Sequence, residues 1–206
     1  VMICNSHEDE EREEVYLRQF VRYNFDGLIT GSDSNVPDKY LELDIPLVSI
    51  DRLIDDKIPS VFSDNVRGGY LAAQKLFRTG SRYIVHFRGP SILHTVQQRS
   101  KGFNRGLEEA GLTSDEVDLA FIDPEAHLIR EYLEAHPETD GIFCDSDLIA
   151  SVVISELHAL GRKIPEEVQI IGYDDVDIAR YIYPKLTTIS QNTFDIGEAA
   201  MTILHQ

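Results

Sequence analysis

Cysteine is scarce in this sequence: Cys4 and Cys144 are the only two among 206 residues, which excludes a dense disulfide framework. Both lie in short apolar runs that read as strands, where buried, reduced thiols of a cytoplasmic protein are expected. Basic residues are also few. Nineteen Lys and Arg stand against 36 Asp and Glu, a formal net charge of −17, so no broad basic surface is available to neutralise phosphates or anionic lipid headgroups. This segment is not expected to grip DNA or a membrane by itself. No apolar run approaches the roughly 20 residues that cross a bilayer, and no basic-then-apolar leader opens the chain. No Gly-x-Gly-x-x-Gly follows a strand, which argues against dinucleotide binding; Gly68-Gly69 falls inside a helix start instead. Seven histidines and two cysteines show no zinc-ligand spacing, and no metal or cofactor is expected. Internal repeats, low-complexity tracts and long linkers are missing too, so any second lobe must be joined by short crossovers.

What is present is a hydrophobic share of 42%, enough for a substantial core in one large domain or two small lobes. Short β-rich runs alternate with amphipathic helical stretches almost from end to end, the pattern of parallel sheets covered by helices. Strands are predicted at 1–5, 27–30, 47–50, 61–63, 83–87, 119–122, 141–144, 169–172 and 187–189. Helical stripes run through Leu17, Phe20 and Val21, then Ala73, Leu76 and Phe77 up to a stop near Gly80. The longest joins Ile149, Val152, Val153, Leu157 and Leu160 before Gly161 and Pro165. These stripes predict core. The acidic run over 8–14 predicts a solvated helix start, because the macrodipole favours carboxylates in a first turn. The sequence opens inside a strand pattern at Val1 and stops inside a helical one at Gln206.

In open parallel sheets, ligands bind beyond the carboxyl ends of the strands. The residues that follow the predicted strands are rich in short polar side chains: Asn5 and Ser6, Ser32 and Asp33, Asp51 and Arg52, Asp64 and Asn65. Later come Gly89 and Pro90, Asp123, Asp145 to Asp147, Asp174 and Asp175, and Gln191. Such residues also cap helices, which begin at these same points, and Asp147 and Asn65 look especially cap-like. Taken together the set offers acceptors and amides converging from many strands, with Arg99 nearby. Each buried sugar hydroxyl both donates and accepts, so a hydroxyl-rich ligand needs this inventory. Read alone, Arg99 in the stretch Gln97-Gln98-Arg99-Ser100-Lys101 is a surface helix residue.

Several motifs add a resemblance. Ile45-Pro46-Leu47-Val48-Ser49-Ile50-Asp51-Arg52 is followed by Val61-Phe62-Ser63-Asp64-Asn65 with Gly68-Gly69 and Ala72, then Gly89-Pro90 and Arg99 with Gly102-Phe103. Further on stand Phe143-Cys144 with Asp147 and Ala150, Ile171-Gly172-Tyr173-Asp174-Asp175, and Pro184 with Leu186-Thr187-Thr188-Ile189 and Gln191. In this order they resemble the effector-binding core of LacI/GalR-family transcription regulators over nearly the whole chain. One departure is Ser81, where the family usually carries His in a turn.

That resemblance implies an α/β fold of the periplasmic-binding-protein-like type I: two doubly wound parallel-sheet lobes around a cleft. One lobe would take residues 1–63 plus 192–206 and the other 64–191. It implies a cytoplasmic regulator, not an enzyme, that forms a homodimer and binds a mono- or disaccharide effector. Operator DNA would be met through a helix-turn-helix headpiece that this chain does not contain. The effector-contacting positions match Asp64, Thr95, Arg99, Asp174 and Gln191, with Phe121 and Asp123 as a wall and Ser6 and Ser32 as contacts from the first lobe. Asp64 and Asp174 would accept from ligand hydroxyls, and Arg99 would donate a fork to neighbouring oxygens. Two other readings stay open. One is a periplasmic sugar-binding protein serving a transporter. The other is a magnesium-dependent phosphatase, since Cys144-Asp145-Ser146-Asp147 imitates an Asp-x-Asp strand end in which the first Asp would be the nucleophile.

Overall fold

The computed structural model describes residues 1–7, 9–32 and 37–206; Glu8 and Asp33 lie outside them. The chain divides into two compact units, Val1–Ser63 with Asn192–Gln206, and Asp64–Gln191.

The first unit contains α1 (Glu10–Arg22), β1 (Leu28–Thr30), α2 (Pro37–Leu41), β2 (Leu47–Ile50) and β3 (Ser60–Val61). The strands form a parallel sheet in the order β1-β2-β3. Asp9 caps α1 by accepting from the Arg12 N–H at 3.0 Å, satisfying one of the donors a helix start leaves open. Of the predicted stripe, Leu17 and Phe20 are buried beside Tyr40 and Ile58, whereas Val21 faces solvent. The acidic helix start is only partly solvated, because Glu13 is buried and accepts from the Tyr40 hydroxyl. Burial, and then donation to Glu13, push the Tyr40 phenol up to about 12. The run 1–5 forms no strand among the described residues.

The second unit contains α3 (Asn65–Thr79), β4 (Ile84–Arg88), α4 (His94–Glu108), β5 (Ser114–Asp118) and α5 (Ala126–Ala135). It continues with β6 (Gly141–Cys144), α6 (Asp147–Ala159), β7 (Gln169–Asp174), α7 (Ile178–Tyr181) and β8 (Thr187–Ser190). The last helix, α8 (Thr193–Leu204), returns to the first unit. Five parallel strands pair in the order β5-β4-β6-β7-β8. The two-residue period of a strand sends alternate side chains to opposite faces, and both faces here are apolar. Val85, Phe87, Ile142, Cys144 and Ile170 join α5 and α6 on one side; Ile84, Phe143, Ile171 and Tyr173 join α3 and α4 on the other. A sheet buried on both faces must be covered by helices twice, which is the doubly wound arrangement.

Two predicted helix stops appear as left-handed glycines, Gly80 at φ 105° and Gly161 at φ 72°. The strand predicted at 119–122 is displaced to Ser114–Asp118. This edge strand exposes Asp115, Glu116 and Asp118, while the apolar residues that suggested the later position follow it, with Leu119 buried and Ile122 exposed. Ser81 sits in a turn yet is buried and donates to the Asp140 carbonyl at 3.2 Å.

The two thiols differ. Cys144 is fully buried, and desolvation, then the neighbouring Asp145 and Asp147 carboxylates, raise its pKa well above the ordinary thiol range. Cys4 is half-buried and outside any strand, which corrects the expectation of two buried thiols. The thiolate is the reactive form, so a thiol reagent at neutral pH is expected to label Cys4 alone in the native chain and both cysteines in denaturant. Native labelling of both would contradict the burial of Cys144.

Candidate functional site

The carboxyl ends of β4, β6, β7 and β8 and the starts of α3, α4 and α6 carry a continuous polar network. Arg99 is at its centre. It is not a surface residue: only 5% of it is exposed. Its Nε donates to Asn65 Oδ1 at 2.8 Å and its Nη1 donates to the main-chain carbonyl of Asp145. The guanidinium lies 3.7 Å over the Tyr173 ring, a cation–π arrangement strengthened by desolvation. The Tyr173 hydroxyl donates to Asn65 Oδ1 at 3.3 Å. Burial is the main reason that this phenol is pushed up to about 12. Gly68 makes the approach possible, since a Cβ there would sit 2.4 Å from the Tyr173 hydroxyl.

Arg99 Nη2 points toward Asp174, 3.9 Å from its Oδ1. That same oxygen accepts from Gln191 Nε2 at 2.6 Å. Asp174 and Asp175 both have positive φ, 106° and 59°, a backbone that side-chain-bearing residues seldom adopt and that Asp tolerates better than most. The turn ends β7 abruptly and leaves the Asp174 side chain only part-buried, 28% exposed. With Nε and one Nη1 hydrogen engaged within the protein, the Nη2 end of Arg99 is the part that lies beside Asp174.

The other sequence-predicted residues fall as follows. Asp64 is exposed and caps α3, accepting from the Arg67 N–H at 2.9 Å; Asn65, read as cap-like, is instead the first helical residue and is buried against Arg99. Thr95 is buried one turn before Arg99 on α4. Phe121 lies half-buried against Gly89, where a Cβ would meet the ring at 2.3 Å. Asp123 is an exposed loop residue with φ 55°. Arg99 and Gln191 thus both approach Asp174, and Asp64 and Thr95 flank the network in sequence; among the described residues no hydrogen bond or ion pair joins Asp123 to it. Ser6 and Ser32 belong to the first unit, where both line a cavity of about 350 Å³ that also receives Glu13, Thr30 and Tyr40.

Sequence reasoning missed Tyr173 and His86 as members of the network, and named Asn65 and Asp145 among the residues after the strands without the roles they take. His86 did leave a signal, an imidazole in the otherwise apolar strand Ile84-Val85-His86-Phe87, which requires a buried partner. That partner is Asp145, whose Oδ1 is 2.9 Å from His86 Nε2 and whose Oδ2 accepts from the Gly89 N–H at 3.1 Å.

Asp147 does not cap α6; Ser146 does, accepting from the Ile149 N–H at 3.1 Å. Asp147 is buried, and its two oxygens accept from Thr188 Oγ1 at 2.6 Å and from the Val176 N–H at 2.9 Å. Desolvation raises its pKa despite these bonds. Both carboxylates of the Asp-x-Asp imitation therefore have no exposed surface and both oxygens engaged, an unsuitable geometry for phosphoryl transfer. Among the described residues no cluster of His, Cys, Asp and Glu could hold a metal ion, and no helix is long and apolar enough to cross a membrane.

Residues 73–206 match the family model of the periplasmic binding protein-like domain. A crystal structure described as a periplasmic binding protein/LacI transcriptional regulator from Alkaliphilus metalliredigens, complexed with D-xylulofuranose, is 34% identical. It superposes with a TM-score of 0.85, covering 99% of this chain and 76% of that one. The chain belongs to the LacI/GalR family. A second structure of that family, a regulator from Enterococcus faecium with bound ribose, is 28% identical with a TM-score of 0.81, over 93% of this chain and 74% of that one. The ribose operon repressor of Halalkalibacterium halodurans is 34% identical across 99% of this LacI/GalR-family chain. The chain spans 62% of that repressor's length.

Proposed function

We propose that this chain is the effector-sensing part of a transcriptional repressor, and that a small sugar binds at the strand ends of the Asp64–Gln191 unit. The observation that carries the reading is the approach of Arg99 and Gln191 to Asp174 in one largely buried cluster that opens at Asp174: a donor plane beside an acceptor carboxylate that a sugar's vicinal hydroxyls can bridge. Asp64, Thr95, Phe121 and Asp123 are assigned to the same site. Family relatives with bound ribose and D-xylulofuranose support a pentose-sized ligand. The repressor would act as a cytoplasmic homodimer. Operator contact is assigned to sequence outside this chain, consistent with its net charge of −17. Differential binding to two conformations, worth about 1–3 kcal/mol, would alter operator affinity about 5- to 150-fold.

A thermal-shift series with D-ribose, D-xylulose, cellobiose, nucleobases and sugar phosphates tests the reading. Ligand at 100 times its Kd stabilises by about 2.7 kcal/mol, so one sugar is expected to raise the melting temperature by several degrees. Asp174→Asn should remove that rise with little change in the unliganded melting temperature, because Asp174 is part-exposed and Asn tolerates the same positive-φ backbone. A sugar response that persists in this variant would refute the site.

A further inference from the structure

Asp145 does not touch a ligand position with its side chain, yet its main-chain carbonyl is one of the two groups that hold Arg99. That carbonyl is fixed by what the Asp145 side chain does. One oxygen accepts from the Gly89 N–H at 3.1 Å and ties the end of β6 to the turn after β4; the other faces His86 Nε2 at 2.9 Å. His86 and Asp145 are both fully buried. The imidazole is stacked on Phe143 at 4.5 Å between ring centroids and tilted against Phe103 at 5.2 Å. These rings are part of the core between the sheet and α3 and α4.

The hydrogen-bond logic settles the tautomer. The Gly89 N–H is a donor, so the carboxylate accepts there, and its second oxygen needs a donor too. His86 Nε2–H is that donor, and Nδ1, which is buried with no hydrogen-bond partner, is left as a bare lone pair. A buried lone pair without a partner costs less than a buried N–H without one. The ring is therefore oriented with Nε2 donating to the Asp145 carboxylate.

We infer that the His86–Asp145 pair is a positioning device for Arg99: the core-stacked imidazole anchors the Asp145 carboxylate, which fixes the Asp145 carbonyl, which orients the guanidinium toward Asp174. The inference rests on the sugar-sensing reading only for its functional meaning. The positioning itself is measurable without ligand.

The test uses the Arg99 side-chain Nε–H signal in the nitrogen–proton NMR spectrum of the 206-residue chain, assigned by its disappearance in Arg99→Lys. His86→Phe keeps a ring between Phe103 and Phe143 but removes the donor to Asp145. It is expected to speed solvent exchange of the Arg99 Nε–H by about tenfold or more, the effect of leaving a buried carboxylate oxygen unpaired. His86→Gln restores a donor and should return exchange close to that of the unmodified chain. A structural role alone would not distinguish these two variants at matched stability. As a further control, Leu157→Ala removes core packing elsewhere in the same unit and should leave the Arg99 signal unchanged.

If His86→Phe does not fold, His86→Leu is measured instead. It also removes the donor to Asp145 while keeping an apolar side chain among Phe103 and Phe143, and the same acceleration is expected. Unchanged Arg99 exchange in the folded donor-less variant, or equal acceleration in Leu157→Ala, would overturn the inference. The functional arm reads affinity for D-ribose. If D-ribose binds the unmodified chain, it should bind His86→Phe about tenfold more weakly and His86→Gln normally. If D-ribose does not bind the unmodified chain, D-xylulose and cellobiose are titrated in its place; if none of the three binds, the sugar reading fails while the exchange result still decides the positioning role.

Discussion

Arg99→Ala is expected to lower the melting temperature of the unliganded chain by about 9 °C and to abolish any sugar-induced rise. The stability loss follows from burial. Truncation strands the Asp145 carbonyl, leaves Asn65 Oδ1 without its 2.8 Å donor while the Tyr173 hydroxyl still reaches it at 3.3 Å, and removes the cation stacked on Tyr173. One buried orphan at about 1–3 kcal/mol and a desolvated cation–π contact at about 2 kcal/mol give a loss of about 3 kcal/mol, which a chain of this length registers at about 3 °C per kcal/mol. The family resemblance alone, which makes Arg99 a ligand donor on a helix surface, predicts loss of ligand response with an intact unliganded fold. The structure corrects that: the residue is a strut as well as a donor. Calorimetric melting with and without ligand separates the effects, and an unchanged unliganded melting temperature would contradict the network.

A larger disturbance per atom is expected at Gly102. A Cβ there would sit 1.8 Å from the Val66 carbonyl oxygen on α3, and one at Gly69 would sit 2.1 Å from the Arg99 carbonyl oxygen on α4. The obstacles are backbone atoms, so no side chain can swing aside and the two helices must separate. Overpacking of this kind costs about 3 kcal/mol, and it also pulls Asn65 on α3 away from Arg99 on α4. Gly102→Ala is therefore expected to reduce both the urea midpoint and ligand affinity. Gly197 in α8 provides the contrast: nothing lies within 4 Å of its Cβ position, so Gly197→Ala should stabilise by up to about 1 kcal/mol. Equal effects of the two substitutions would show that α3 and α4 do not meet as described.

Much of the fold is legible because the physics that sets it is local. The four strands of the second unit that carry its core show near-continuous apolar runs or clear turn signals, and Gly80 and Gly161 stop their helices where the periodicity ends. The reading fails at β5. An edge strand need bury only part of one face, and Ser-Asp-Glu-Val-Asp does so while its acidic side chains discourage pairing with another edge; the apolar residues after it attract the assignment instead. At the site, the residues after the strands are legible as a set, but their roles are not. Whether Asp64 or Asn65 caps α3, and whether Ser146 or Asp147 caps α6, turns on one residue of phase. Periodicity does not resolve one residue at a helix end. The buried members escape for a related reason. Asn65 and Asp145 resemble ordinary caps in sequence, and Tyr173 resembles core. Their function depends on Arg99 crossing from α4, a contact between residues 34 and 46 positions apart.

The central claim is that a sugar sits against Arg99 and Asp174. Nitrogen–proton NMR spectra recorded during titration with D-ribose, D-xylulose and cellobiose test it most directly. For at least one sugar, the largest shifts are predicted at the Arg99 Nε–H, the Asp174 and Asp175 amides and the Gln191 side chain. Perturbations centred elsewhere, or spectra that none of the three sugars moves, would contradict the account.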